Sequence, residues 1–228
     1  MTSVNIGFLV YADVVQLDIM GVYQILSFSS DAKLHLVAKS LNPLVSNEGL
    51  IITPTTTLDS CPKLDVICVP GGGMGQIEVM KDRDLLSFLQ QQSSTAKYTT
   101  SVCTGSLILA AANLLQGYKA TCHWAFREQL AILGVEVIPE RIVIDRDRIT
   151  GAGVTSGIDF GLTLLSLLWG EDLAKMAQLM MEYDPQPPFA AGTPETAGAE
   201  ITESLLELGK PLIEAFWHQT KKLSTIKN

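Results

Sequence analysis

The sequence predicts a three-layer α/β domain built on a mainly parallel sheet. Three observations carry that expectation. Segments of strand character alternate with segments of helical periodicity along most of the chain, the order in which crossover helices join parallel strands. Residues 4–11 (VNIGFLVY) form a nearly unbroken apolar run, and residues 65–69 (DVICV) are apolar after the first position, as strands covered on both faces should be. Finally, 228 residues at 47% hydrophobic content supply a core for one large domain, or for a domain with a long tail.

Taken in order, the run at 4–11 is the first buried strand. A helix is expected from Val14, with Asp13 and Gln16 able to form a capping-box-like start. Residues 34–37 and 50–53 read as strands. The strand at 65–69 stops at Pro70, Gly71, Gly72 and Gly73. A helix is expected over 82–94, then a strand over 98–102, where Tyr98, Thr99, Thr100 and Val102 are aromatic or β-branched. Residues 107–115 are rich in Ala and Leu and favour helix, so Cys103 stands on the hinge between strand and helix. Another helix is expected over 124–133, and residues 142–150 (IVIDRDRIT) read as a strand pair turning at 145–147. Ser156 with Asp159 is a capping signal for a helix through Trp169, and a further helix covers 172–183. Residues 184–198 (DPQPPFAAGTPETAG) are loop-like and too long for a bare connector. Amphipathic segments flank Pro211, which is expected to break or restart the helix there. The chain thus divides into a domain at 1–184 and, at 185–228, a Pro/Gly-rich loop with a C-terminal helical extension.

Composition narrows the function classes. A net charge of -8 and a pI near 4.8, with no Lys/Arg cluster, argue against nucleic acid as a partner. The adjacent Lys221 and Lys222 read as a solvated helix terminus. The apolar runs at 107–115 and 162–169 are far short of a membrane span, and residues 1–6 carry no basic region, so neither a membrane anchor nor a signal peptide is expected. Cys61, Cys68, Cys103 and Cys122 form no Cys-x-x-Cys pair, and His35, His123 and His218 show no zinc-ligand spacing; no metal is expected. Reduced thiols place the protein in the cytoplasm.

Ligands of parallel α/β sheets bind at the carboxyl ends of the strands, and both the glycine turn and Cys103 fall at that edge. A thiol at a helix start feels the helix dipole and free N–H groups, which should lower its pKa below about 8.5. The turn resembles a nucleophile elbow without the preceding glycine. The alternative is a small buried hydrophobe. Asp18 shares a helical face with Val14, Gly21, Val22 and Ile25. Facing inward, its carboxyl should have a raised pKa and could donate a proton near neutrality; a helix phase shifted by one residue would turn it to solvent instead. The glycines could present backbone N–H groups to a developing anion or be a flexible turn, and no phosphate-binding pattern follows them. His123 could serve as a base near Cys103, or could cap or pack.

At Ser101-Val102-Cys103-Thr104-Gly105-Ser106, with Pro70-Gly71-Gly72 and Gln16-Leu17-Asp18-Ile19-Met20-Gly21, the chain resembles the DJ-1/PfpI superfamily. Ala120-Thr121-Cys122-His123-Trp124 and Gly157-Ile158-Asp159-Phe160 extend the likeness over residues 4–184, and 182–189 resemble the tail of the isocyanide hydratase group. The resemblance implies a flavodoxin-like fold of the class I glutamine amidotransferase type and a homodimer. It also implies a nucleophile at Cys103 paired with Asp18, and backbone donors near Gly72 and Thr104, around which Gly71, His123 and Val154 are the supporting candidates. Its activity would be the addition of water to an isocyanide to give an N-substituted formamide, through a covalent thioimidate and without a cofactor. Peptidase members carry His after the cysteine where this chain has Thr104, and the DJ-1 branch has Glu where this chain has Asp18. Two alternatives remain: a ligand-sensing domain of the AraC-regulator type, disfavoured by the short acidic stretch after Phe189, and a glyoxalase-like enzyme.

Overall fold

In a computed structural model describing residues 3–227, apolar runs become strands covered on both faces. Met1 and Thr2, which bear on the signal-peptide expectation, lie outside the described residues. Strand β1 (Val4–Leu9) leads into helix α1 (Gln16–Leu26) and strand β2 (Ala32–Ala38). A small antiparallel pair, β3 (Leu44–Val45) and β4 (Ile51–Ile52), precedes β5 (Thr56–Thr57) and β6 (Val66–Val69). Helices α2 (Gly75–Val79) and α3 (Arg83–Ser93) follow, then β7 (Tyr98–Val102) and α4 (Gly105–Ala111). Next come β8 (Lys119–Ala120), a 3-10 turn at Trp124–Phe126, α5 (Arg127–Ile132), β9 (Glu136–Val137), β10 (Ile142–Asp145) and β11 (Arg148–Gly151). Helices α6 (Ser156–Trp169), α7 (Glu171–Met180), α8 (Pro194–Ala197) and α9 (Ala199–Lys227) complete the chain.

The main sheet has the order β10-β11-β7-β6-β1-β2-β5 and is parallel except for the β10–β11 hairpin. Helices α1, α6 and α7 pack on one another, as do α3, α4, α5 and α9, so the strands at the centre are sealed from water. Every residue of β6 is buried, as are the last four of β1. Burial of such runs is the main stabilising term. The carboxyl ends of β1, β6 and β7 lie side by side, which brings together the loops after Leu9, Val69 and Val102.

Local signals fail where tertiary partners claim the same groups. Neither expected cap forms: Val15 and Thr155 precede α1 and α6, and neither makes a side-chain cap. Asp13 instead adopts a left-handed φ of 69° and accepts a hydrogen bond from Gly75 N–H at 3.0 Å. Asp159 is taken by Arg141 and by the Tyr183 hydroxyl. Pro211 does not break the terminal helix, which runs unbroken from Ala199 to Lys227. Pro removes one intrahelical hydrogen bond, but Phe216, one turn further on, is fully buried with its ring 5.1 Å from that of Phe126. Packing of that half-helix outweighs the missing bond. The strand expected at 50–53 shrinks to β4 and leaves the main sheet, whose edge position goes to β5.

Candidate active site at the carboxyl edge of the sheet

At the end of β7 the backbone of Cys103 takes φ 60°, a left-handed conformation that costs a non-glycine residue about 1–2 kcal/mol. Its surroundings enforce the turn. Cys103 N–H donates to Gly151 O at 3.1 Å, tying the elbow to β11. Two residues on, a Cβ at Gly105 would stand 2.1 Å from the Val69 carbonyl, so only glycine lets α4 start this close to β6. Cys103 is 5% exposed.

Helix α1 delivers Asp18 to the same point, as its apolar periodicity indicated, and the residue is 2% exposed. Oδ2 accepts Gly71 N–H at 2.8 Å. Val15 N–H donates to Gly71 O at 2.9 Å and Val14 bridges to Gly72, so the α1 start and the glycine turn move as one piece. A Cβ on Gly71 would lie 2.5 Å from Thr104 Oγ1; absence of a side chain there lets carboxyl, turn and elbow meet.

The electrostatics follow from burial. The Asp18 carboxyl is pushed up to about 7, chiefly by desolvation, against the pull of Gly71 N–H and of the Cys103 thiol. Its Oδ1 is buried with no partner at hydrogen-bonding geometry. The expected fall in the Cys103 pKa does not occur. Burial, and then the neighbouring Asp18 charge, push the thiol well above its usual value, while Thr104 N–H pulls it down. One helix start does not offset desolvation plus a like charge. At neutral pH the two groups therefore hold protons jointly and titrate as a pair.

The glycine turn is committed inward. Gly72 N–H donates to Gln76 Oε1 at 2.8 Å and, at 3.3 Å, to Thr104 Oγ1. Thr104 Oγ1 donates to Gln76 Oε1 at 2.6 Å, and Gln76 Nε2 donates to Thr104 O at 2.8 Å. The Gly72 donor is thus spent within the protein, and it is the Thr104 N–H that acts on the sulfur. Gln76 is fully buried and was not singled out from the sequence. Its signal was weak: a glutamine four residues beyond Gly72, in a helix of five residues too short to show periodicity. Tyr11 closes the cluster, its hydroxyl donating to Pro70 O at 2.9 Å.

His123 caps the 3-10 turn, its Nδ1 accepting from Ala125 N–H at 3.3 Å, and its pKa falls to about 4 through burial and the nearby Arg127 charge. It is neutral near pH 7. His123 and Val154 both line a cavity of about 580 Å³, whose lining includes neither Cys103 nor Asp18. Gly192, Thr193, Pro194 and Glu195, from the loop at 185–198, line the same cavity. Among the described residues no group of three or more His, Cys, Asp or Glu is arranged to hold a metal ion, and no helix is long and apolar enough to cross a membrane.

A cysteine on a strained elbow, with a protonatable carboxyl against it at the edge of a flavodoxin-like sheet, defines a class of cysteine-centred α/β domains. The chain belongs to the DJ-1/PfpI family, whose signature spans residues 4–167. It is 46% identical over 213 residues to the isonitrile hydratase of Pseudomonas putida, covering 93% of this chain and 92% of that protein. A ThiJ/PfpI family protein from Pseudomonas syringae, known from a crystal structure, matches with a TM-score of 0.94 and 44% identity, over 96% of this chain and 91% of that one. The HTH-type transcriptional regulator GbdR of Pseudomonas aeruginosa is 34% identical over 141 residues, which are 61% of this chain but 38% of the regulator.

Proposed function

We propose that the protein is an isocyanide hydratase, a hydro-lyase converting R–N≡C and water into R–NH–CHO without metal or organic cofactor. The observation that carries the reading is the Asp18 carboxyl, held near a pKa of 7 against the Cys103 thiol, in a chain that matches a hydratase over nearly its full length. Addition to an isocyanide puts nucleophile and proton on the same carbon, so acid and nucleophile must stand side by side. Asp18 carboxylate takes the thiol proton as sulfur forms the S–C bond to the terminal carbon. The carbon then receives that proton from Asp18, giving the thioimidate R–N=CH–S–Cys103. Asp18 next accepts a proton from water as the O–C bond forms, and passes it to nitrogen. Collapse of the tetrahedral adduct breaks the C–S bond, the sulfur leaving with the electron pair and recovering the hydroxyl's proton through Asp18. Splitting one difficult addition into two is the advantage of a covalent nucleophile, and one carboxyl serves by turns as base and as acid. Thr104 N–H steadies the sulfur whenever it is anionic.

A homodimer in the cytoplasm is part of the same reading. Its support is the family and the apolar side chains that one chain leaves uncovered, with Leu179 82% and Leu208 80% exposed. The regulator match favours a second reading, a non-catalytic ligand sensor, but it reaches only 61% of the chain against 93% for the hydratase.

Absorbance-monitored turnover of phenyl isocyanide separates the readings. Wild-type protein should hydrate it, and Cys103→Ala and Asp18→Asn should each lose at least about a thousandfold in kcat/KM, with a Cys103 adduct seen by intact mass. Full activity in Cys103→Ala would remove the mechanism. Saturable binding without turnover would favour the sensor, and turnover of methylglyoxal alone a glyoxalase-like enzyme.

A further inference from the structure

Beside the Cys103 elbow runs a segment that belongs to no strand or helix. Strand β8 ends at Ala120 and the 3-10 turn starts at Trp124; Thr121 and Cys122, between them, are fully buried. A buried peptide needs partners for its N–H and its C=O. At Thr121 both partners are side-chain hydroxyls. Ser106, in the first turn of α4, donates its hydroxyl to Thr121 O at 2.6 Å. Thr150 Oγ1, near the end of β11, accepts Thr121 N–H at 2.9 Å. Ser101 Oγ stands 2.8 Å from Ser106 Oγ, and since Ser106 spends its one proton on Thr121, Ser101 is the donor of that pair. The Thr121 hydroxyl is itself buried without a partner, so the grip is on the peptide.

The anchors of this clamp are also neighbours of the nucleophile. Ser101 and Ser106 stand two residues before and three residues after Cys103. Thr150 adjoins Gly151, whose carbonyl takes Cys103 N–H at 3.1 Å. Ser101, Ser106, Thr121 and Thr150 are each at most 1% exposed, so water cannot replace a lost partner. Next along the clamped chain, Cys122 lies near enough for its charge to act on Cys103. A left-handed cysteine persists only where its surroundings over-determine it, and the clamp ties β7, α4, β11 and the 121–123 segment into those surroundings.

We propose that Ser106 and Thr150 are positioning residues of the nucleophile: gripping the Thr121 peptide from both sides, they hold the Cys122–His123 segment against the elbow and keep the Cys103 sulfur in reach of Asp18. The consequence for turnover rests on the hydratase reading; the consequence for the thiol's reactivity does not.

Thr150→Val keeps the side chain's shape and removes the acceptor, Thr150→Ser keeps the acceptor, and Ser106→Ala removes the donor; each is checked for folding by thermal melting. Alkylation of Cys103 by iodoacetamide, located by peptide mass and followed against pH, needs no isocyanide. It should slow at least about fivefold at neutral pH in Thr150→Val and Ser106→Ala, with its midpoint moved to higher pH, and stay within about twofold of wild type in Thr150→Ser. With phenyl isocyanide, Thr150→Val and Ser106→Ala should lose at least about tenfold in kcat while KM changes less than about twofold. If alkylation responds in this way but no form of the protein hydrates an isocyanide, the hydratase reading falls and the clamp stands. Three results would overturn the proposal: folded variants that keep the wild-type alkylation profile, equal impairment in Thr150→Ser and Thr150→Val, or loss of the cooperative melt in both Ser106→Ala and Thr150→Val, which would make the clamp purely structural.

Discussion

Asp18 sits between two opposing demands: burial raises its carboxyl from 3.8 to about 7, while Gly71 N–H and the thiol favour the charged form. Only the carboxylate can accept the thiol proton, and it is lost as the pH falls through about 7. For an uncharged isocyanide, log kcat/KM should therefore rise with unit slope up to about pH 7 and then level off. Initial rates from pH 5 to 8.5 measure this; a flat profile would take Asp18 out of the proton path. Gln76 acts at one remove, as a positioning residue that holds Gly72 and Thr104. Gln76→Leu leaves buried donors and an acceptor unpaired, and should cost about 2–4 kcal/mol by urea denaturation. It should lower kcat more than it raises KM; unchanged stability would show that the network relaxes without it. Asp18 was legible because helical phase is local. Gln76 was not, because its partners lie 28 residues away at Thr104 and 65 residues away at Tyr11.

Among the elements, the helices show where local chemistry yields to packing. At α3 it does not yield: Asp82 caps the helix through Asp84 N–H and Leu85 N–H. At α1 and α6 the same kind of signal is overridden, because Gly75 claims Asp13 and Arg141 claims Asp159. Helix α9 carries Pro211 inside its span, at an exposed position. Pro211→Ala restores a backbone donor and should raise stability by about 1 kcal/mol or more. Differential scanning calorimetry should show a higher Tm; a lowered Tm would mean that the proline helps to seat Phe216.

Across the whole molecule, α9 behaves as part of the core. Phe216 and Thr220 are fully buried, and Phe126 meets Phe216 edge-on. Thermal unfolding of the full chain should be one cooperative transition, and truncation after Gly198 should destabilise it by about 3 kcal/mol or more, the cost of removing a buried aromatic. Two separate transitions would instead mark residues 199–227 as an independent unit.

By itself the sequence determined the alternation of strands and helices, the thiol at the end of β7, the inward phase of Asp18 and the family these define, since each rests on local periodicity or on contiguous motifs. Only the tertiary structure decided that the Cys103 pKa rises rather than falls, that Gly72 N–H turns to Gln76, and that α9 runs through its proline. Each of these is set by desolvation or by competition for hydrogen bonds among residues far apart in the chain, such as Asp18 and Gly71, 53 positions distant, and those terms exist only once the chain has closed on itself.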